Sequence, residues 1–514
     1  MLKRFFYSIF ILLLPVLLHA LSVEDNQLYI DVEIVPNTTQ IHLTAPGDLT
    51  IVESGSPFRI DFYQPELFIE IEKPLEVSPY WRVGVDRFPT RREAEAFIQN
   101  FPECYAEPYT ELHYEDGILE VITGYAVFLK ERFLTYESAQ NVCEPDGWVI
   151  EEYAFSNANV QVYNAKDGKS YFFSPPLYLI SDQPITVFQV PRTNFWNPKE
   201  FVTRSYRGKL KVDLNPAGTL HLISSVELED YIAGVLPNEI GADAPLEVLK
   251  AQAIAARAEA LYKILHGHHK DDAFDLCAST HCQVFSGISD ISEQVNLAVR
   301  ATAYQVGTYQ DEIINAVYST NCGGHTESSS NVWGGEDVPY LAGTYDGTTQ
   351  RSVDLTKERN VASWIESSQQ VFCNTEETTG WIKNTYSWQK TISKKAVENY
   401  CNSIIDFGRY EGINILSRGV SGRALAIELC GTSGKLVFDG ELNIRNTFDN
   451  LPSSLFIVED QGDSLLFQGK GSGHGVGMCQ IGALQMAESG YKAEDILKHY
   501  YKGIQIISIK IESR

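Results

Sequence analysis

Positive charge is what this chain has least of for its size. Its 514 residues carry 41 Lys and Arg against 67 Asp and Glu, a formal net charge of −26. Nucleic acids and anionic lipid surfaces are held by a basic face, so both are excluded as partners and a neutral or weakly charged ligand fits better. Long apolar runs are absent beyond the first twenty residues, so no later stretch reads as a membrane span. A His-Glu-x-x-His pair is absent too, which argues against a zinc hydrolase with an open coordination position. Complete disulfide pairing is excluded by number, because nine cysteines leave at least one outside intramolecular bridges.

What is present begins at the N-terminus. Met1-Leu2-Lys3-Arg4 precedes an apolar run over 5–18, broken by Ser8 and Pro15, and then His19-Ala20. A charged start, an apolar stretch and a small residue make residues 1–20 a secretory signal. Because Leu18-His19-Ala20 is a poor cleavage site, an uncleaved anchor is the alternative, and it is the only membrane attachment expected. The protein is therefore expected to be exported, to the periplasm or cell envelope. Apolar residues make up 44% of the chain, ample for real cores, and its length predicts two to four domains of ~150 residues each.

Residues 21–75 alternate apolar and polar in short runs, such as Leu28 to Ile34 and Phe58 to Phe62, and read as strands. An internal repeat follows. Arg87-Phe88, Thr90 and Ala94 recur as Arg132-Phe133, Thr135 and Ala139, a uniform offset of 45. Each set follows a strand-like run and opens a helix, with Thr90 or Thr135 as N-cap. Two strand–helix units over 78–153 make a small α/β sheet domain. It resembles the SPOR-type peptidoglycan-binding module; a duplication with no ligand is the other reading. Cys104 and Cys143 each follow a repeat helix, which makes them a candidate disulfide. Residues 154–200 return to strand-like runs with Pro175-Pro176, Pro184 and Pro191, and end in a linker near 192–199.

From 201 onward the residues carry chemistry. Two strand-like runs, from Tyr206 and from Gly218, precede Glu227-Leu228-Glu229-Asp230-Tyr231 and Glu239. Next, 245–257 has strong helical character, with four alanines between 251 and 256 and Pro245 placed for a first turn. Glu239 just before this helix could stand at a cleft wall, with Arg257 presented to the same cleft; a solvated loop carboxylate is the bland alternative. Near the C-terminus Gly469, Gly471, Gly473, Gly475 and Gly477 alternate, with His474 among them. Glycine at ordered positions carries an entropic cost, so such a run marks a sharp turn or a close approach to a ligand. Helices are predicted from about Gly482 to Ser489 and from Ala493 to Tyr500.

These blocks, in this order, resemble the SpoIID/LytB family of sporulation and amidase-enhancer proteins. The resemblance rests on Leu228 to Val235, Glu239 and 249–257, then on Asp275 with Thr280-His281-Cys282-Gln283. It continues through Gly323-Gly324-His325-Thr326-Glu327, Trp333, Pro339-Tyr340-Leu341, the glycine-rich 471–483 and the closing 490–503. It implies a mixed α+β fold, with a SpoIID-type domain over 201–506 following the strand-rich segment and the duplicated strand–helix domain. Peptidoglycan glycan strands are the implied substrate and lytic transglycosylase chemistry the implied reaction. Glu239 is the implied general acid/base and Arg257 a site-lining partner. The family's other role, activating a cell-wall amidase without catalysis, stays open. Where many members read Ala-Arg-Thr-Tyr, this chain has Ala256-Arg257-Ala258-Glu259, which loses a tyrosine and adds Glu259 as a minor alternative acid.

Further ligands are implied around these blocks. Gly323, Gly324, Thr326 and Glu327 are expected close to sugar, with Gly473, His474, Gly475 and Gln480 lining the same cleft; a capping or core role is the alternative for His474. Cys277, His281 and Cys282 lie within six residues, the close spacing of structural zinc sites. The resemblance supports them as zinc ligands with His269 as fourth, and a Cys277–Cys282 disulfide is the rival. Cys322 and Cys479 flank the glycine motifs as a bridge or as free thiols. Residues 355–425 read as an insertion, stapled by Cys373 and Cys401, whose Trp364, Trp381 and Trp388 are core or sugar-stacking residues.

Overall fold

The computed structural model describes residues 22–513 except 25–26, 55, 57–58, 73–75, 146, 157–158, 193–199, 349–352 and 376–384. The expected signal at 1–20, most of the expected linker at 192–199 and Trp381 lie outside the described residues. The protein is mixed α+β, as expected. It divides into two compact units, the first made of residues up to Val235 with 263–290 and 510–514, the second of 236–262 with 291–509. The chain crosses from one to the other inside the helices Leu228–Glu239 and Leu246–Leu265.

Two sheets of eight and six strands dominate the first unit, antiparallel except where Leu276–Cys277 pairs in parallel with Gln27–Thr38. Strand Gln27–Thr38 shows why: Leu28, Ile30, Val32 and Ile34 all point inward and are buried, an alternation that fixes register. The prolines of 154–200 do not make a connector. Val160–Asn164 pairs with Glu66–Ile71, Leu177–Ile180 with Asp48–Glu53, and Ile185–Pro191 with Gln40–Thr44. Strands Phe201–Tyr206, Lys209–Leu214 and Leu220–Glu227 extend the same sheets, so the division falls inside helix Leu228–Glu239 and not near residue 200.

The repeat forms a sheet of its own. In chain order its strands are Glu76–Phe88, Cys104–Glu115, Ile118–Leu129 and Trp148–Ser156, and in space they run fourth, first, third, second, all antiparallel. Thr90 caps helix Arg91–Asn100 in a reciprocal capping box with Glu93, and Thr135 caps Tyr136–Gln140. Ala94 and Ala139 are the fully buried contact residues of the two helices. Cys104 and Cys143 are free thiols in separate apolar clusters, one under each helix, so the expected bridge is not formed. Strand Lys510–Ser513 adds in parallel beside Ile118–Leu129. No helix of the described residues is long and apolar enough to cross a membrane.

Glu227 opens helix Leu228–Glu239 by accepting from the backbone N–H of Glu229 (2.9 Å) and Asp230 (3.1 Å). Burial pushes its carboxyl up to about 7, against those hydrogen bonds. A carboxyl raised on folding contributes stability that is complete below its unfolded value and is lost as pH climbs through 7. Glu227→Gln keeps the acceptor and removes the titration. In thermal melts it is expected to match the wild type near pH 4.5 and to exceed it at pH 8. After solvent screening the gain is about 1 kcal/mol, roughly 2–4 °C. An equal shift at both pH values would show that the charge is not what matters.

Candidate functional site

Pro237 lies inside the last turn of helix Leu228–Glu239, which runs past it and ends on Glu239. Glu239 is half-buried. Its main-chain carbonyl accepts a 2.9 Å hydrogen bond from Nε2 of Gln480, which is 4% exposed and also reaches Oε1 of Gln252 (3.5 Å). One side chain thus ties the end of this helix, the helix Leu246–Leu265 and the start of Gln480–Glu488. Gln480 positions Glu239 and is not a surface ligand. Arg257 is fully buried, its Nη1 donating to the carbonyls of Ala253 (3.3 Å) and Gln305 (2.8 Å). Glu259 is buried, with the enclosed Tyr501 phenol as a charge neighbour, so of the two candidate acids Glu239 is the more accessible.

The glycine motifs are bound to protein. Gly323 has φ +76°, and a Cβ there would lie 2.9 Å from Leu455 and 3.1 Å from the backbone of Gly471. A Cβ on Gly324 would sit 2.7 Å from the Trp364 ring, whose Nε1 donates to the Gly323 carbonyl (3.0 Å). Trp388 packs over Gly469 and donates to the Gly471 carbonyl (2.9 Å). The insertion's two described tryptophans are buried and brace these loops, which answers the open choice in favour of core. Thr326 exchanges hydrogen bonds with the backbone of Thr344. Glu327 is 0% exposed: Oε1 accepts from Ser328 N, Asn331 Nδ2 and Val420 N, and Oε2 from Ser421 N and Oγ. Gly323, Gly324, Thr326 and Glu327 are therefore corrected from sugar ligands to internal scaffold, because their groups are already satisfied within the unit.

Gly473, His474 and Gly475 follow suit in part. Arg423, fully buried, donates to the carbonyls of Cys322 (3.1 Å) and Gly473 (3.3 Å), clamping the two glycine loops together. A Cβ on Gly475 would land on that guanidinium. His474 is half-buried, accepts the Val476 N–H at Nδ1 (3.1 Å) and hydrogen-bonds the backbone of Tyr318. Burial first, then the charges of Arg423 and Arg445, push its imidazole down to about 3, so it is neutral at physiological pH and cannot serve as the acid. Its ring lies 5.0 Å from that of Trp333, which is 54% exposed. Sequence reasoning missed Arg423; nothing in its local spacing marks it.

In the first unit, Cys277 and Cys282 are both free, so their bridge is not formed. Cys277 Sγ lies 3.6 Å from Nδ1 of His281, Cys282 Sγ lies 3.9 Å from the same atom, and His269 Nε2 is 3.2 Å from Cys282 Sγ. Bond lengths of ~2.3 Å to sulfur and ~2.0 Å to nitrogen around a tetrahedral centre put such atoms about 3.6 Å apart. Asp272 accepts from Nδ1 of His269 (2.7 Å), which aims Nε2 at the sulfur as a second-shell carboxylate does for a metal-binding imidazole. Two thiols and two imidazoles are a donor set that fits zinc; donor atoms of His268, His269, His281 and Cys282 lie within 4.8 Å of one another, so His268, stacked on His281 at 4.5 Å, competes with Cys277 for the fourth position. Cys322, Cys373, Cys401 and Cys479 also form no bridges, and Cys401 is buried in an apolar cluster that does not include its expected partner Cys373.

A family model described as stage II sporulation protein matches residues 217–309, and one described as a domain of unknown function (DUF8618) matches 327–477. An uncharacterized protein of Brachyspira hyodysenteriae is 33% identical over 290 residues, 56% of this chain and 69% of that protein. The amidase enhancer of Bacillus subtilis is 30% identical over 302 residues, 54% of this chain but only 40% of the enhancer. Stage II sporulation protein D of Bacillus amyloliquefaciens is 25% identical over 303 residues, covering 56% and 76% of the two chains. The chain belongs to the SpoIID/LytB family.

Proposed function

We propose that this protein acts in the cell envelope on peptidoglycan glycan strands, as a lytic transglycosylase with Glu239 as its general acid and base. The observation that carries the reading is a half-buried carboxyl at a helix end, fixed through its own backbone by Gln480. The chemistry needs a single carboxyl. It gives its proton to the glycosidic oxygen as the bond to the muramyl C1 breaks. The resulting carboxylate then takes the proton of the muramyl C6 hydroxyl while that oxygen attacks C1 and closes a 1,6-anhydro ring. No water is consumed and no second carboxylate is required, unlike hydrolysis by a carboxylate pair. Trp333, exposed beside His474, offers a flat apolar face against which a sugar ring can stack. The duplicated strand–helix unit is proposed as a second glycan-holding module.

Zinc held by Cys277, Cys282, His269 and His281 is proposed as a structural ion that fixes 269–282, with no part in the reaction. Metal analysis of protein purified without chelator should find one zinc equivalent more in the wild type than in Cys282→Ser; equal zinc in the two, or a mapped 277–282 bridge, would refute it.

The 30% identity to an amidase enhancer favours one rival, an activator that binds glycan without cutting it. Incubation with glycan strands, with and without stem peptides, separates the two. Anhydro-muramyl ends support the transglycosylase, reducing ends mean hydrolysis, and intact strands with stimulated amidase activity mean the activator.

A further inference from the structure

A second cluster of thiols, in the other unit, has the geometry of a metal site. Cys322, Asp346, Cys373 and Cys479 are each 0% exposed, and one ligand atom from each lies within 4.8 Å of the other three. Cys322 Sγ is 3.6 Å from Cys373 Sγ and 3.5 Å from Asp346 Oδ2. A tetrahedral centre with bonds of ~2.3 Å to sulfur and ~2.0 Å to oxygen sets two sulfurs about 3.8 Å apart and a sulfur and an oxygen about 3.5 Å apart. A disulfide would hold its sulfurs at about 2.05 Å, and the structure has all three thiols free. We infer that Cys322, Asp346, Cys373 and Cys479 bind a zinc ion that locks together the loops of the second unit.

The surroundings are those of a closed, structural site. The Cys322 N–H donates to Cys479 Sγ (3.2 Å), the kind of backbone contact that stabilises a thiolate. Cys479 is also the N-cap of helix Gln480–Glu488, where the helix end favours negative charge on sulfur. The carboxylate is oriented twice: Tyr500 donates to Oδ1 (2.7 Å), and the Cys373 N–H to Oδ2 (3.0 Å), the oxygen nearer the Cys322 sulfur. Among the described residues the one ion pair of Asp346 is with His499, at 3.7 Å. A carboxylate buried among three thiols is poorly compensated by one imidazole, whereas a divalent cation with deprotonated thiols would neutralise it. Three sulfurs and one oxygen select a soft, tetrahedral ion, and no ligand position is left open, so zinc with a structural role is favoured over a hard cation. The four ligands come from segments 322, 346, 373 and 479, so the ion would pin the Gly323 and Gly473 loops and the insertion at once. Its ligands share nothing with the Cys277 cluster, which lies in the other unit.

The test is zinc content per chain in protein purified without chelator and again after reduction and zinc addition. Cys282→Ser is expected to keep one zinc equivalent, and Cys373→Ser to lose one relative to wild type. If Cys373→Ser fails to fold, an anomalous difference map at the zinc edge of wild-type crystals decides, with a peak expected among Sγ of 322, 373 and 479. The inference is overturned by a zinc-free Cys282→Ser, by no peak at that position, or by a mapped disulfide joining any two of the three thiols.

Discussion

Replacing Glu239 by Gln is expected to lower release of anhydro-muramyl fragments by about 10²–10⁴-fold, the usual worth of one positioned acid/base. Gln keeps the size of the side chain and an acceptor oxygen but can neither give up nor take a proton in the reaction, and Gln480 holds the backbone carbonyl, which the substitution does not touch. The melting temperature should therefore stay near wild type, and glycan binding should persist. Glu239→Ala should be equally inactive. The alternative acid makes the opposite forecast: if Glu259 did the chemistry, Glu239→Gln would retain most of its rate. Glu259 is closed off in the core, so its replacement should change stability first. Undiminished fragment release by Glu239→Gln would remove the transglycosylase assignment, and it would do so independently of whether either zinc site exists.

What the sequence disclosed and what it concealed follow the range of the forces involved. Thr90 and Thr135 were legible as helix starts because a capping bond spans three residues. The helices Gln480–Glu488 and Ala493–Tyr500 were legible from local pattern, with boundaries within two residues. Strand existence was readable at 21–75 and 154–200, but partnership was not. Leu220–Glu227 pairs with Gln27–Thr38 across nearly the whole first unit, and nothing local announces that choice. The glycines show the same limit. Alternation at 469–477 correctly signalled that side chains are forbidden there, but not that Trp388, Arg423 and backbone occupy the space instead of sugar. Cysteine spacing disclosed the cluster at 277–282, where ligands are near neighbours. It could not disclose Asp346 as the companion of Cys322, Cys373 and Cys479, since those four are brought together only by the folded loops.

Glu327→Ala is expected to destabilise the second unit by about 3–5 kcal/mol, the largest stability effect foreseen here. The carboxylate collects three backbone N–H groups, a hydroxyl and an amide, two of those N–H groups and the hydroxyl coming from Val420 and Ser421, more than ninety residues downstream. A Cβ on Gly419 would collide with this carboxylate, so the 419–421 turn is wrapped closely around it. Truncation leaves these donors buried without an acceptor, and each such orphan costs about 1–3 kcal/mol before relaxation. Ser421→Ala removes one of those bonds, so its effect should be smaller and non-additive with Glu327→Ala; a double-mutant cycle in denaturant melts should give a coupling of about 0.5–3 kcal/mol. The same pair of melts discriminates the two roles read for this residue. A glutamate that holds sugar would lose glycan affinity with its stability intact. A glutamate that holds 419–421 against the Gly323 loop would lower the denaturation midpoint first, with activity at low temperature falling only as far as the folded fraction does. A midpoint unchanged within experimental error would return Glu327 to the sugar-binding face of the motif.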